Sequence, residues 1–75
     1  MITMIRTPES SQIQAIGYDP ASRVLAVQFQ SSGAIYYYYE VGSEAFEDFK
    51  KAKSKGQFFS RTIKGTYRYE RQGAA

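Results

Sequence analysis

RVLAVQFQSSGAIYYYYEV, residues 23–41, decides the fold, because it places two runs of β-forming residues around a glycine turn. In the first run Leu25, Val27 and Phe29 alternate with Val24, Ala26, Gln28 and Gln30, the period-two pattern of a strand with one face toward a core. Ser31, Ser32, Gly33 and Ala34 supply the turn, and residues 35–41 follow with strong β propensity. The two runs are expected to close as an antiparallel hairpin. In its second strand Ile35, Tyr37, Tyr39 and Val41 share one face, and Tyr36, Tyr38 and Glu40 share the other. Four consecutive tyrosines therefore cannot form a single surface. Simple alternation turns the set containing Ile35 and Val41 inward.

Upstream, SQIQAIGYDP alternates weakly, with Ile13 and Ala15 on one side and Gln12, Gln14, Ile16 and Tyr18 on the other. It reads as a strand closed by a turn at Asp19-Pro20. Residues 1–9 have no period and contain Pro8, as expected of an N-terminal arm or edge strand. Downstream, GSEAFEDFKKAKSKG predicts a helix with Ser43 as N-cap, acids early, lysines late and Gly56 as its stop. Phe46, Phe49 and Ala52 give it an apolar stripe to lay on the sheet. Residues 57–63 predict a second, short helical segment that adds Phe58, Phe59 and Ile63 to the core and points Arg61 and Lys64 outward. TYRYER, residues 66–71, alternates again and can supply a last strand, after which residues 72–75 are expected to fray. The expected fold is α+β, a small antiparallel sheet of three to four strands in the order β-β-β-α-α with that last strand, and helices on one face. It forms one domain over residues 10–71.

The chain has 75 residues, near the lower size at which one hydrophobic core holds a fold without disulfides or metals. It has no cysteine and no histidine, which removes thiolate chemistry, the usual zinc ligands and the commonest proton-transfer group. Its serines consequently have no histidine base, so no enzyme activity and no cofactor are expected. No run approaches the roughly 20 apolar residues of a membrane span, and a soluble, cytoplasmic protein is expected.

The net charge of +3 conceals a marked asymmetry. Residues 1–49 carry two arginines against six acids, a net −4, whereas residues 50–71 carry eight bases against Glu70 alone, a net +7. A concentrated basic block is the electrostatic footprint of a polyanion-binding surface, or else a solvated, solubilising face.

The order of short motifs resembles the KTSC domain family. The resemblance rests on IGYD at 16–19, L-x-V-x-F at 25–29, G-x-x-Y-x-Y-x-x-V at 33–41, a helix, then KSKGQFFSRTI at 53–63 and a late tyrosine. That family takes its name from an extra domain at the C-terminus of some lysyl-tRNA synthetases and includes small free-standing bacterial and phage proteins. The resemblance implies a small α+β domain and, through the synthetase context, contact with RNA or DNA. Gly42 and Ser60 depart from the family pattern, which has proline and asparagine at those places. The pattern retains Tyr36 and Tyr38, which assigns them a structural role and leaves Tyr37 and Tyr39 exposed, the opposite of simple alternation. A sheet covered on one face by helices and on the other by a second subunit reconciles the two.

Two functions follow as expectations. In the first, the chain is a non-catalytic nucleic-acid-binding module. Lys50, Lys51, Lys53, Lys55, Arg61, Lys64, Arg68 and Arg71 meet phosphates, and Tyr37 and Tyr39 stack on bases. In the second, it is a protein-interaction or homodimerisation module without a nucleic-acid ligand. Lys53, Ser54, Lys55 and Gly56 stand at a helix junction and suit either an anion site or a glycine C-cap.

Overall fold

A computed structural model describes residues 2–8 and 10–72. The expected hairpin is present as β3 (Val24–Phe29) and β4 (Ile35–Tyr38). It pairs Leu25 with Tyr38 and Val27 with Tyr36. Gly33 closes the turn at φ 71°, a left-handed conformation that glycine adopts without steric cost. Outward from the hairpin lie β2 (Ile13–Asp19), β1 (Met4–Arg6) and β5 (Tyr69–Gln72). Together they form one antiparallel sheet in the order β1-β2-β3-β4-β5. The sheet thus has five strands rather than three or four, because the arm pairs with β2 and the TYRYER segment pairs with β4. Of the tail expected to fray, Gln72 lies in β5 opposite Ile35, and the remainder falls outside the described residues.

The helix-facing side of the sheet collects Ile13, Ile16, Tyr18, Leu25, Val27, Phe29, Tyr36 and Tyr38. Alternation had grouped Ile13 with Ala15. A β-bulge between Ile13 and Ala15 places Gln14 as the extra residue, so that Ile13 turns to the side of Ile16 and lies opposite Phe29. The neighbouring Thr7 accompanies this kink, its backbone N–H donating to the Gln14 carbonyl at 3.0 Å and its hydroxyl to the Ile13 carbonyl at 2.6 Å.

Alternation also fails at the end of β4. Tyr38 and Val41 are both buried, although they lie three positions apart, an odd spacing that strand alternation would put on opposite faces. Glu40 has φ 59°, which breaks the extended pattern and rotates Val41 back into the core. There the Val41 N–H donates to the Arg23 carbonyl at 2.9 Å, and its carbonyl accepts the Tyr18 hydroxyl at 2.5 Å.

The first helix, α1 (Ser43–Lys51), lays Phe46 and Phe49 on the sheet. Gly42 is its N-cap, in place of Ser43, and provides no side-chain cap. The chain leaves the helix at an extended Ala52, four residues before the expected stop. Ser54 then caps a new helix, α2 (Lys55–Phe58), accepting the Gln57 N–H at 3.3 Å. Gly56 is therefore not a terminator. It lies buried inside α2, where a Cβ would collide with the Gln12 carboxamide. The segment continues without a break into a π turn, Phe59–Ile63, closed by the Lys64 N–H on the Phe59 carbonyl at 2.8 Å. Phe59 and Ile63 both point inward from it, and with Phe49 they complete a core around Ile16, Leu25 and Val27. Full burial of a side chain such as Phe49 or Ile63 contributes roughly 1.5–3 kcal/mol.

Candidate nucleic-acid interface

The helices cover the sheet from β2 to β4 and leave β5 projecting beyond them, exposed along its whole length. Directly paired residues of an antiparallel ladder share a face. Tyr69 opposite Tyr38, and Arg71 opposite Tyr36, therefore extend the helix-facing side past the helices. This projection turns the rim of the core into an open groove.

Five aromatic rings form a continuous series along it. Phe59, delivered by the π turn, meets Phe29 edge-on at 5.2 Å and Tyr38 at 5.5 Å. Phe29 meets Tyr36 edge-on at 5.5 Å. Tyr69 tilts against both Tyr36, at 5.7 Å, and Tyr38, at 5.5 Å. The space they line measures about 580 Å³ and is completed by Ser31 and Ser32 from the β3–β4 turn and by Lys64 and Gly65 after the π turn. Tyr38 is 4% exposed and Tyr69 is 58% exposed, so the groove runs from a buried floor to an open aromatic lip. Burial, assisted by the neighbouring Tyr69 and Tyr36 phenols, pushes the Tyr38 phenol up to about 12. π turns are rare and frequently occur at functional sites; here the turn sets the ring that joins Phe29 to Tyr38.

The tyrosines chosen from sequence lie on the opposite face. Tyr37 is half-buried there, between Ala26 and Glu70 in register. Tyr39 donates its hydroxyl to Glu70 at 2.6 Å and carries the Arg68 guanidinium 5.4 Å from its ring centre, an arrangement that fastens β5 to β4. That bond to Glu70 raises the Tyr39 phenol above its ordinary range. The rings that line the groove are instead Tyr36 and Tyr38, expected from sequence to be mainly structural, with Phe29, Phe59 and Tyr69. The signal available for them was the Y-x-Y spacing of β4 together with the alternation of TYRYER.

The eight bases do not form one patch. Lys50 pairs with Glu47 at 3.4 Å and sits 5.4 Å from the Phe46 ring centre. Lys55 is only 7% exposed, with its ammonium donating to the Ala52 carbonyl at 3.3 Å. Arg68 belongs to the far face with Tyr39. Lys53 and Arg61 share a shallow depression near the start of α2, and Lys51 is exposed at the end of α1. Lys64 lines the aromatic groove, and Arg71 lies on the groove side of β5. Among the described residues, Lys51, Lys53, Arg61, Lys64 and Arg71 take part in no ion pair. No group of three or more carboxylates is placed to hold a metal ion among the described residues, and none of the helices is long and apolar enough to cross a membrane.

Comparison with known proteins agrees with this architecture. The KTSC domain family matches residues 9–67. A KTSC domain protein from Yersinia pestis, solved by crystallography, superposes with a TM-score of 0.92 at 38% identity, covering 97% of this chain and 100% of that one. A protein of Tsukamurella paurometabola is 48% identical over 60 residues, covering 80% of this chain and 88% of its relative. A lysine–tRNA ligase of Nostoc is 43% identical over 63 residues, 84% of this chain but 11% of the ligase. The chain belongs to the KTSC domain family.

Proposed function

We propose that this KTSC domain is a non-catalytic nucleic-acid-binding module whose ligand-binding surface is the aromatic groove between β5 and the π turn. The observation that carries this is the juxtaposition of an open, five-ring aromatic groove with Lys64, a cation that no acid neutralises among the described residues. Stacking a base on an exposed ring contributes roughly 1–3 kcal/mol, and a lysine at the same site adds a salt-dependent attraction for the adjoining phosphate. The net +7 of residues 50–71 provides longer-range attraction for a polyanion. The relative within a lysine–tRNA ligase supports an RNA setting, since there the same domain is joined to an enzyme named for its tRNA. With neither cysteine nor histidine in the chain, the groove suits binding rather than reaction. Labelled RNA and DNA oligonucleotides titrated at two salt concentrations test this. Binding that weakens with salt is expected; its absence at low salt, or indifference to salt, contradicts the proposal.

A second function, assembly with another copy through a sheet edge, draws support from Ile5, which is 45% exposed on the outermost strand β1. The other edge is unsuited to it. Two copies of β5 paired antiparallel about a twofold axis keep their faces aligned, so the two registers centred within the strand set Glu70 against Glu70 or Arg71 against Arg71. Both registers oppose like charges, a known defence of edge strands. The β1 edge is therefore the version of a homodimer that this reading favours. Sedimentation of the protein with Ile5→Lys separates the cases: a dimer that persists in this variant contradicts the β1 assignment.

A further inference from the structure

The groove also bears on the form of nucleic acid it takes, given that nucleic acid is what it binds. We infer that it accepts one unpaired base on the Tyr69 ring with the adjoining phosphate toward Lys64, so that the ligand is a single strand, a loop or an end rather than a duplex.

Ring spacing limits how a base can enter. Intercalation between two rings requires roughly 6.8 Å, twice the 3.4 Å rise of stacked bases. Tyr69 stands only 5.7 Å from Tyr36 and 5.5 Å from Tyr38, so the series is already in mutual contact and has no slot between its members. What remains is the outward side of Tyr69, the one ring of the three that is more than half exposed. A base within a duplex is stacked on both sides and cannot present its face to a ring lying in a groove, whereas an unpaired base can.

The remaining surface also lacks the means to dock on a duplex. The longest helix, α1, has only nine residues, and Glu44, Glu47 and Asp48 are exposed on it, a poor probe for a groove walled by phosphates. The bases are divided between two faces of the sheet: Arg68 lies with Tyr39 on one, and Arg71 lies opposite Tyr36 on the other. That division does not make the flat ridge that follows a duplex backbone. Lys64 and Arg71, on the groove side, instead flank a short path past Tyr69. Ser31 and Ser32 place two hydroxyl-bearing residues on the facing wall, able to bond a base edge.

The experiment is an amide NMR titration of the whole protein at low salt with an unstructured single strand and, separately, with the same sequence locked in a blunt duplex. Single-strand affinity at least about tenfold higher is expected, with shifts centred on residues 31–32, 64–65 and 69. Tyr69→Ala should lower single-strand affinity roughly fivefold or more, and Tyr69→Phe should retain it. Lys64→Glu, at an exposed position in no ion pair among the described residues, should also weaken it while leaving the free spectrum intact. Duplex bound as tightly as single strand, or single-strand affinity unchanged in both Tyr69→Ala and Lys64→Glu, overturns the inference. In the duplex case nucleic-acid binding itself still stands. No binding by either form overturns both.

Discussion

Tyr38 is almost wholly buried, and its phenol is pushed up to about 12, above the value near 10 of an unfolded chain, mainly by burial and then by the Tyr69 and Tyr36 phenols. Between those values the unfolded chain has released a proton that the folded chain still holds. Unfolding is then favoured by rising pH, so the stabilisation is complete below pH 10 and is lost as pH climbs from 10 toward 12. Tyr39, raised through its bond to Glu70, acts in the same direction. The urea midpoint should therefore fall over that window, and Tyr38→Phe should make the fall shallower. An equal fall in wild type and variant contradicts the assignment to Tyr38. Two residues along, Glu40 holds φ 59°, where an L side chain costs roughly 1–2 kcal/mol relative to ordinary backbone. Glu40→Gly removes that strain but adds unfolded-chain entropy that offsets part of the relief, so a net gain of up to about 1 kcal/mol in stability is expected. A clear loss would mean that the Glu40 side chain contributes something the backbone geometry does not show.

Among the elements, β1 depends on a close approach. A Cβ on Gly17 would stand 2.6 Å from Ile2 Cγ2 and 2.8 Å from the Thr3 carbonyl oxygen. Because one of those neighbours is backbone, Gly17→Ala must displace the arm, at a cost of roughly 1–3 kcal/mol. Hydrogen exchange should show the loss of protection concentrated at residues 4–6; a change spread evenly over the sheet contradicts it. The hairpin of β3 and β4 was legible in sequence because Leu25, Val27 and Phe29 alternate cleanly before a glycine turn. The helix α1 was legible because acids precede lysines around Phe46 and Phe49. Three features were hidden for identifiable reasons. The bulge at Gln14 imitates weak alternation. The left-handed Glu40 is a residue type that does not announce such a conformation. Gly56 resembles a helix stop, although its lack of a side chain serves the approach of Gln12. The same hidden kink at Glu40 accounts for the conflict between the two readings of the tyrosines: alternation carried back from the buried Val41 turns Tyr37 and Tyr39 inward, whereas the pairing of β3 with β4 turns Tyr36 and Tyr38 inward, as the family pattern implied. The groove as a whole was beyond reach, since it forms only when β5 is placed beside β4.

Across the whole molecule, charge and shape give different expectations of how many phosphates the proposed groove site would neutralise. The basic block of residues 50–71 contains eight lysines and arginines, but only Lys64 and Arg71 lie on the groove side of the sheet edge. For single strands the affinity falls with salt at a logarithmic slope of roughly −0.7 for each phosphate neutralised. Two contacts give a slope of about −1.4, and eight would give about −5.6. The shallow slope is the expected one, because none of the other six bases lines the groove. A fluorescent single-stranded oligonucleotide titrated over a series of salt concentrations, with wild type and Lys64→Glu side by side, distinguishes these cases. A groove-bound strand gives a slope between roughly −1 and −2 and a weaker, flatter response in the variant. No binding at low salt, or a variant that behaves as wild type, contradicts the groove as the ligand site.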